Sequence, residues 1–144
     1  MRVRGPVLAL DYGTRRIGLA VSDVDGKFAF PAGFLACRGR ERDLAALREL
    51  IAERGVRRVV VGLPLHMDGR RGDAAAAAEQ FANAVAEIAG LPVEMLDERW
   101  TTREAERALR ESASGRRKRR DAVDSAAATL LLRTYLERAE SGAA

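Results

Sequence analysis

Apolar residues in the first part of the chain fall in short unbroken runs, not in polar–apolar alternation. Residues 7–10 (Val-Leu-Ala-Leu) and 17–21 (Ile-Gly-Leu-Ala-Val) are such runs, and each predicts a strand covered on both faces. Asp11-Tyr-Gly-Thr14 turns the chain between them. Asp23-Val-Asp-Gly26 has hairpin chemistry, so residues 27–35 should return beside the second strand, with Pro31 marking an edge position. The period then changes. Leu44, Leu47 and Ile51 are spaced for a helix from residue 40, and Gly55 supplies its stop before a strand over 56–61. Asp73 is placed to cap a second helix with Phe81, Ala84, Val85 and Ile88 on its inner face, ending at Gly90-Leu-Pro92 before a strand over 93–98. The alanines at 74–78 read as helix propensity alone. Thr101 or Thr102 can cap a short helix to about Glu111, and residues 112–120 form a polar, basic connector. A last helix over about 121–138 has its stripe on Val123, Ala126, Ala127, Leu130 and Leu131, leaving 139–144 as a disordered tail. Three antiparallel strands followed by alternating helices and strands predict an α/β fold. Its mixed five-stranded sheet should have helices on both faces and Asp11 on a central strand.

Composition narrows the picture. The 144 residues suit a single domain, and 47% apolar with 32% charged residues is a folded, globular balance. Asp11 cuts the N-terminal apolar run too short for a signal peptide or a membrane span, so a cytoplasmic protein with no membrane partner is expected. With one Cys and one His, an internal disulfide is excluded and zinc of the usual ligand types disfavoured, so any metal should be held by oxygen. The formal charge of +4 favours a polyanionic partner.

The candidate chemistry is therefore carboxylate chemistry. Asp11 ends an apolar strand, where open α/β sheets gather ligands, although a turn-capping Asp would look the same. Asp97 and Glu98 close the last strand, and alternation lets only one of them face a given partner. The residues alone do not choose. Asp121 and Asp124 are three apart at the expected start of the last helix. Carboxylates from two strands and a helix can converge on Mg2+ or Mn2+, and two such ions can cleave a phosphodiester without His or Cys. Arg15 and Arg16 follow the Asp11 turn, Arg99 adjoins Glu98, and Arg116, Arg117, Lys118, Arg119 and Arg120 precede Asp124. All eight are candidates for holding nucleic-acid phosphates, and a solvated charge run is the plainer reading. Residues 62–69, including His66 and Asp68, form a loop whose backbone donors can meet phosphate. Trp100 can stack on a base or pack in the core.

Four stretches resemble, in order, the YqgF family of RuvX or Holliday-junction-resolvase-like proteins, also described as nucleases of the pre-16S rRNA 5′ end. They are Leu8-Ala-Leu-Asp-Tyr-Gly-Thr14 with Ile17-Gly-Leu-Ala-Val21, Val60-Val-Gly-Leu-Pro-Leu65 with Met67-Asp-Gly69, Asp97-Glu-Arg99 with Thr101, and Val123-Asp-Ser-Ala-Ala127. The resemblance spans residues 8–135. It implies an RNase H-like fold and a metal-binding, catalytic triad of Asp11, Glu98 and Asp124, with Asp97 in support and Asp121 a further candidate ligand. It also implies RNA or branched DNA as partner, and a resolvase role would favour a homodimer. His66, Trp100 and the arginines at 15 and 16 depart from the family's usual residues. Two other readings stand beside the nuclease. One is a non-catalytic RNA-binding or ribosome-assembly factor on the same fold. The other is an actin-like ATPase relative, suggested by Asp11-Tyr-Gly-Thr14, which would need a second lobe.

Overall fold

The computed structural model describes residues 5–99 and 116–140, with side chains described at 5–99 and 125–139. The chain runs β1 (Val7–Tyr12), β2 (Arg16–Ser22), β3 (Ala29–Ala36), α1 (Arg40–Arg54), β4 (Arg58–Leu63), α2 (Asp73–Ala89), β5 (Val93–Asp97) and α3 (Arg116–Glu140). The five strands form one sheet in the order β3-β2-β1-β4-β5. β1, β2 and β3 pair antiparallel, while β1–β4 and β4–β5 pair parallel. The expected mixed sheet is present, with β1 at its centre and the Pro31 strand at its edge.

The pleat sorts the apolar runs onto two cores. Leu8, Leu10, Ile17, Leu19, Val59 and Val61 pack against Leu47 and Ile51 of α1 and Phe81 and Val85 of α2. Val7, Ala9, Ala20, Val60 and Leu96 face the opposite way, against Ala128, Leu131, Leu132 and Tyr135 of α3. A continuous apolar run is what a strand needs when both of its faces are covered by helices.

Both αL stops are where the glycines predict them, at Gly55 (φ 62°) and Gly90 (φ 63°). Several details differ. Gly72, not Asp73, is the N-cap of α2, and Asp73 is the first helical residue, with no side-chain cap. Ala75 and Ala78 are fully buried, so that alanine run is packing as well as propensity. α3 begins at Arg116, which takes the basic run out of the connector and into its first turns, and puts Asp121 and Asp124 in its second and third turns. The other end of α3 reaches Glu140 with Ala139 buried, where a tail was expected. Its buried stripe is Ser125, Ala128, Leu131, Leu132, Tyr135, Leu136 and Ala139, rotated from the expected one, while Ala126, Ala127 and Leu130 are half-buried. Two polar residues cause the rotation, because hydropathy places neither Ser125 nor Tyr135 inside. The expected helix after Thr101, the connector residues 112–115, Trp100 and residues 141–144 lie outside the described residues.

Candidate active site

Asp11 is near the carboxyl end of the central strand. Odd-numbered Val7 and Ala9 face α3, so the alternation of β1 gives Asp11 that same face. Tyr12, facing the other way, stacks on Phe81 of α2 with ring centroids 4.2 Å apart and planes inclined by 16°, which fixes the strand end. Gly13 N–H donates to Arg16 O at 2.9 Å and closes the turn into β2.

The same alternation resolves the choice between Asp97 and Glu98. In β5, Leu96 packs on the α3 core while Val93 and Met95 pack on the α1–α2 core. Glu98 therefore shares the side of Leu96 and Asp11, and Asp97 the opposite one. Glu98 N–H donates to Leu63 O at 3.1 Å, carrying the β4–β5 ladder one residue past the strand. Its side chain then leans back over Gly62 of β4, the strand lying between β5 and β1.

Gly62 makes that reach possible. A Cβ at residue 62 would fall 2.5 Å from Glu98 Cδ and 2.7 Å from Glu98 Cγ. Across this gap the carboxyl groups of Glu98 and Asp11 hydrogen-bond. Burial, the bond to Asp11 and the Asp11 charge together push the Glu98 carboxyl up to about 9, so Glu98 holds a proton at neutral pH. Two carboxyl groups in contact in a partly buried place cannot both ionise cheaply without a cation.

Asp97 is committed elsewhere. Its carboxylate accepts from Arg99 N at 2.9 Å and Arg99 Nε at 2.7 Å, and pairs with Arg99 Nη2 at 2.6 Å. The guanidinium holds Asp97 below the usual carboxylate range. Arg99 Nη1 also reaches Met67 O at 3.5 Å, so the fork ties the end of β5 to the loop that follows β4, which keeps residues 64–69 of the expected 62–69 loop while Gly62 and Leu63 end the strand. That loop is closed by Gly69 N–H to His66 O at 2.8 Å and His66 N–H to Arg70 O at 2.9 Å. Arg15 and Arg16 are exposed at the Asp11 end of the sheet, Arg16 lying over the Phe34 ring.

The third expected acid is on α3. Arg58 opens β4, and its Nη1 donates to Tyr135 OH at 3.0 Å. The C-terminal half of α3 is thereby held at the amino end of the parallel strands, and the helix axis carries its N-terminal half toward their carboxyl end, where Asp11 and Glu98 meet. Ser125 fixes the level. Its Oγ donates to Leu19 O at 2.5 Å and accepts from Ala32 N–H at 3.2 Å. Both groups lie where the β2–β3 ladder breaks, two residues (Ala32 and Gly33) standing opposite Leu19 alone. Leu19 pairs with Leu10, so Ser125 lies level with the residue before Asp11. Asp124 is the position before Ser125, and Asp121 and the basic residues 116–120 lie further toward the same end. Among the described residues, no third His, Cys, Asp or Glu completes a cation-binding group with Asp11 and Glu98.

Two residues escaped the sequence reading. Gly62 interrupts Val59-Val-Val, and an isolated Gly in a strand signals a close approach by another group. Ser125 is a hydroxyl in an otherwise apolar stripe, a signal visible only once the stripe's phase is known.

No helix among the described residues is long and apolar enough to cross a membrane. The family model described as RuvX, Holliday junction resolvase, matches residues 5–138. A Chloroflexus aggregans protein named "Putative pre-16S rRNA nuclease" is 46% identical over 131 residues, covering 91% of this chain and 92% of its own. A Koribacter versatilis protein of the same name is 47% identical over 136 residues, covering 94% and 89%. Among solved structures, Thermus thermophilus RuvC superposes with a TM-score of 0.64 at 18% identity, covering 96% of this chain and 97% of its own. At that identity the likeness concerns the fold, which is the RNase H-like one. RuvC in complex with a Holliday junction substrate gives 0.63 at 17% identity, covering 94% and 96%. Matched over nearly its whole length, the chain belongs to the RuvX family.

Proposed function

We propose that this protein is a divalent-metal-dependent nuclease cleaving phosphodiester bonds in structured nucleic acid. Precursor 16S rRNA, at its 5′ end, is the first substrate to test and Holliday-junction DNA the second. The relatives' names support the first and the family's description the second. The observation that carries the reading is the meeting of Asp11 and Glu98 over the side-chain-free Gly62, at the carboxyl end of the central strands.

The pair fits a hard cation. All its donors are oxygens, and the proton that Glu98 retains is what a metal would replace. Asp11, Glu98 and Asp124 would hold Mg2+ or Mn2+, with Asp121 as a further ligand if two ions bind. Bound there, the metal would supply an activated water and stabilise the leaving oxygen. The remaining work belongs to the chain. Asp97 and Arg99 fix the strand end that bears Glu98 and join it to the loop after β4. Ser125 sets the height of α3, and so of Asp124, on the sheet. Arg15, Arg16 and the basic first turns of α3 gather at this end of the molecule and would hold phosphates. Arg99, already forked onto Asp97, would act on nucleic acid chiefly through the loop it positions.

Cleavage of a precursor 16S rRNA fragment and of a four-way junction should be compared with Mg2+, with Mn2+ and with chelator. Wild type is expected to cut at least one substrate only when a cation is present, and Asp11→Asn neither. A wild type inert on both, or an equally active Asp11→Asn, refutes the proposal.

A further inference from the structure

Arg16 opens β2 on the side of the sheet that carries Asp11. Asp11 pairs with Gly18 and Gly18 with Phe34, and directly paired residues share a face. Arg16 is two positions from Gly18, so the pleat gives it that face too, as a diagonal neighbour of Asp11 on one side and of Phe34 on the other. Each diagonal is roughly 7 Å, within reach of an arginine. The side chain lies over the ring: the Arg16 guanidinium carbon is 5.3 Å from the Phe34 centroid. It therefore leans toward the edge strand β3 and away from β1. Phe34 is 42% exposed, so the ring does not fill the core, and on its accessible side it carries a cation.

The place is particular to Phe34 among the exposed phenylalanines. Phe30 pairs with Val21, and Val21 with Leu8, which puts it on the α1–α2 face of the sheet. Phe28 precedes β3 at the hairpin, where Ala29 pairs with Ser22 at the far end of β2. What a ring does for a guanidinium differs from what a carboxylate does. Arg99, forked onto Asp97, has its charge offset by its partner. A ring attracts the cation through its quadrupole, restricts its rotamers and adds no negative charge. With five N–H donors, one guanidinium can serve more than one acceptor, and a pair of them matches the oxygens of a phosphate. A guanidinium restricted before the nucleic acid arrives also loses less freedom on binding it.

We propose that Phe34 is a positioning residue: it holds the Arg16 guanidinium on the β3 side of the Asp11–Glu98 pair, where the guanidinium receives a phosphate flanking the bond to be cut. The inference rests on the nuclease reading above, in which Arg16 is one of several cations, and gives that arginine a fixed place and the ring a role. Phe34 acts through Arg16 and does not itself touch the nucleic acid.

The test is fluorescence anisotropy with the full-length protein in chelator, so that nothing is cut, at several salt concentrations. The probes are a labelled four-way DNA junction and a labelled precursor 16S rRNA fragment. On whichever probe wild type binds, Arg16→Gln should weaken binding by about fivefold or more and make the salt dependence shallower by about one phosphate contact. Phe34→Leu keeps the apolar bulk and loses the ring, and should weaken binding by about threefold. Phe34→Tyr, which keeps a ring, should bind like wild type. In the Arg16→Gln background, Phe34→Leu should have no further effect. Phe28→Leu, at the other end of the sheet, should change nothing. Wild-type affinity in Phe34→Leu or in Arg16→Gln overturns the inference, even if the protein cleaves as proposed. So does a Phe34→Tyr that binds as weakly as Phe34→Leu. A Phe34→Leu loss that persists in full in the Arg16→Gln background overturns it as well, since the ring would then act by stacking on a base or by holding the fold. A wild type that binds neither probe sinks the nuclease reading with it.

Discussion

Asp11 and Glu98 are held together in a way that folding alone would not favour. Burial, with the contact to Asp11, keeps a proton on Glu98 up to about 9, against an ordinary 4.5 in the unfolded chain. Between those values the folded state binds the extra proton, so for this group stability is fullest below 4.5 and is lost as pH rises through 9. Without divalent ions, the thermal midpoint of wild type should therefore fall from about pH 5 to about pH 8, and that of Glu98→Gln should fall less. Saturating Mn2+ should flatten the wild-type slope, because the cation takes the proton's place. Equal slopes for wild type and Glu98→Gln would show that the two carboxyl groups do not meet. Gly62→Ala tests the same contact from below. The added Cβ can be accommodated by swinging the flexible Glu98 side chain aside, so unfolding free energy should change by only about 1 kcal/mol in urea melts. Cation-dependent stabilisation should nonetheless be lost. An alanine variant that still responds to Mn2+ like wild type would mean that the gap at residue 62 is incidental.

Strand pleat and helix anchoring do what residue type cannot. Asp97 and Glu98 differ by one position, yet one is forked to an arginine and the other faces Asp11. Asp97→Asn should accordingly leave Mn2+ affinity within a few-fold of wild type while Glu98→Gln lowers it by tenfold or more, as calorimetry would read. The reverse order would put the wrong face of β5 toward the site. Ser125 holds α3 to the ladder break through two buried hydrogen bonds. Ser125→Ala strands the Ala32 N–H and the Leu19 carbonyl and should cost about 1–3 kcal/mol in urea unfolding, against under about 1 kcal/mol for the half-buried Ala126→Ser. Much of this scale was legible beforehand, because unbroken Val, Leu and Ile runs and αL glycines have few alternatives: five strands, α1 and the stops at Gly55 and Gly90 follow the pattern, although β1 runs on through Tyr12 and β4 is Arg58–Leu63, taking Gly62 and Leu63 from the expected loop. The start of α3 was not. Five adjacent cations from Arg116 repel one another and imitate a solvated connector, but Arg and Lys are good helix formers and a packed helix gains one bond per residue as it extends. The phase of α3 was hidden for a related reason, since Ser125 and Tyr135 enter the core only because Leu19, Ala32 and Arg58 receive their hydroxyls. Between Asp97 and Glu98 the sequence offers two equal carboxylates, and only the packing of Leu96 beneath α3 decides between them.

At the scale of the whole molecule, a sheet with one helix on one face and two on the other has a polarity. Structural ties such as Arg58–Tyr135 collect at the amino end of its parallel strands. The acids at Asp11 and Glu98, the turn arginines and the basic first turns of α3 collect at the other. A polyanion-attracting surface around a pair of acids is what the proposed cation, standing between acid and phosphate, would call for. The sheet itself is one that this chain, a member of the RuvX family, shares with RuvC at 18% identity. The most direct measurement is isothermal titration of Mn2+ into wild type, Asp11→Asn, Glu98→Gln and Asp124→Asn at neutral pH, in two buffers of different ionisation enthalpy. Wild type should bind with release of a proton, and each variant should bind at least tenfold more weakly, a loss of about 1.4 kcal/mol or more. If wild type takes up no cation, or if all three variants bind it equally well, the three acids do not form one site.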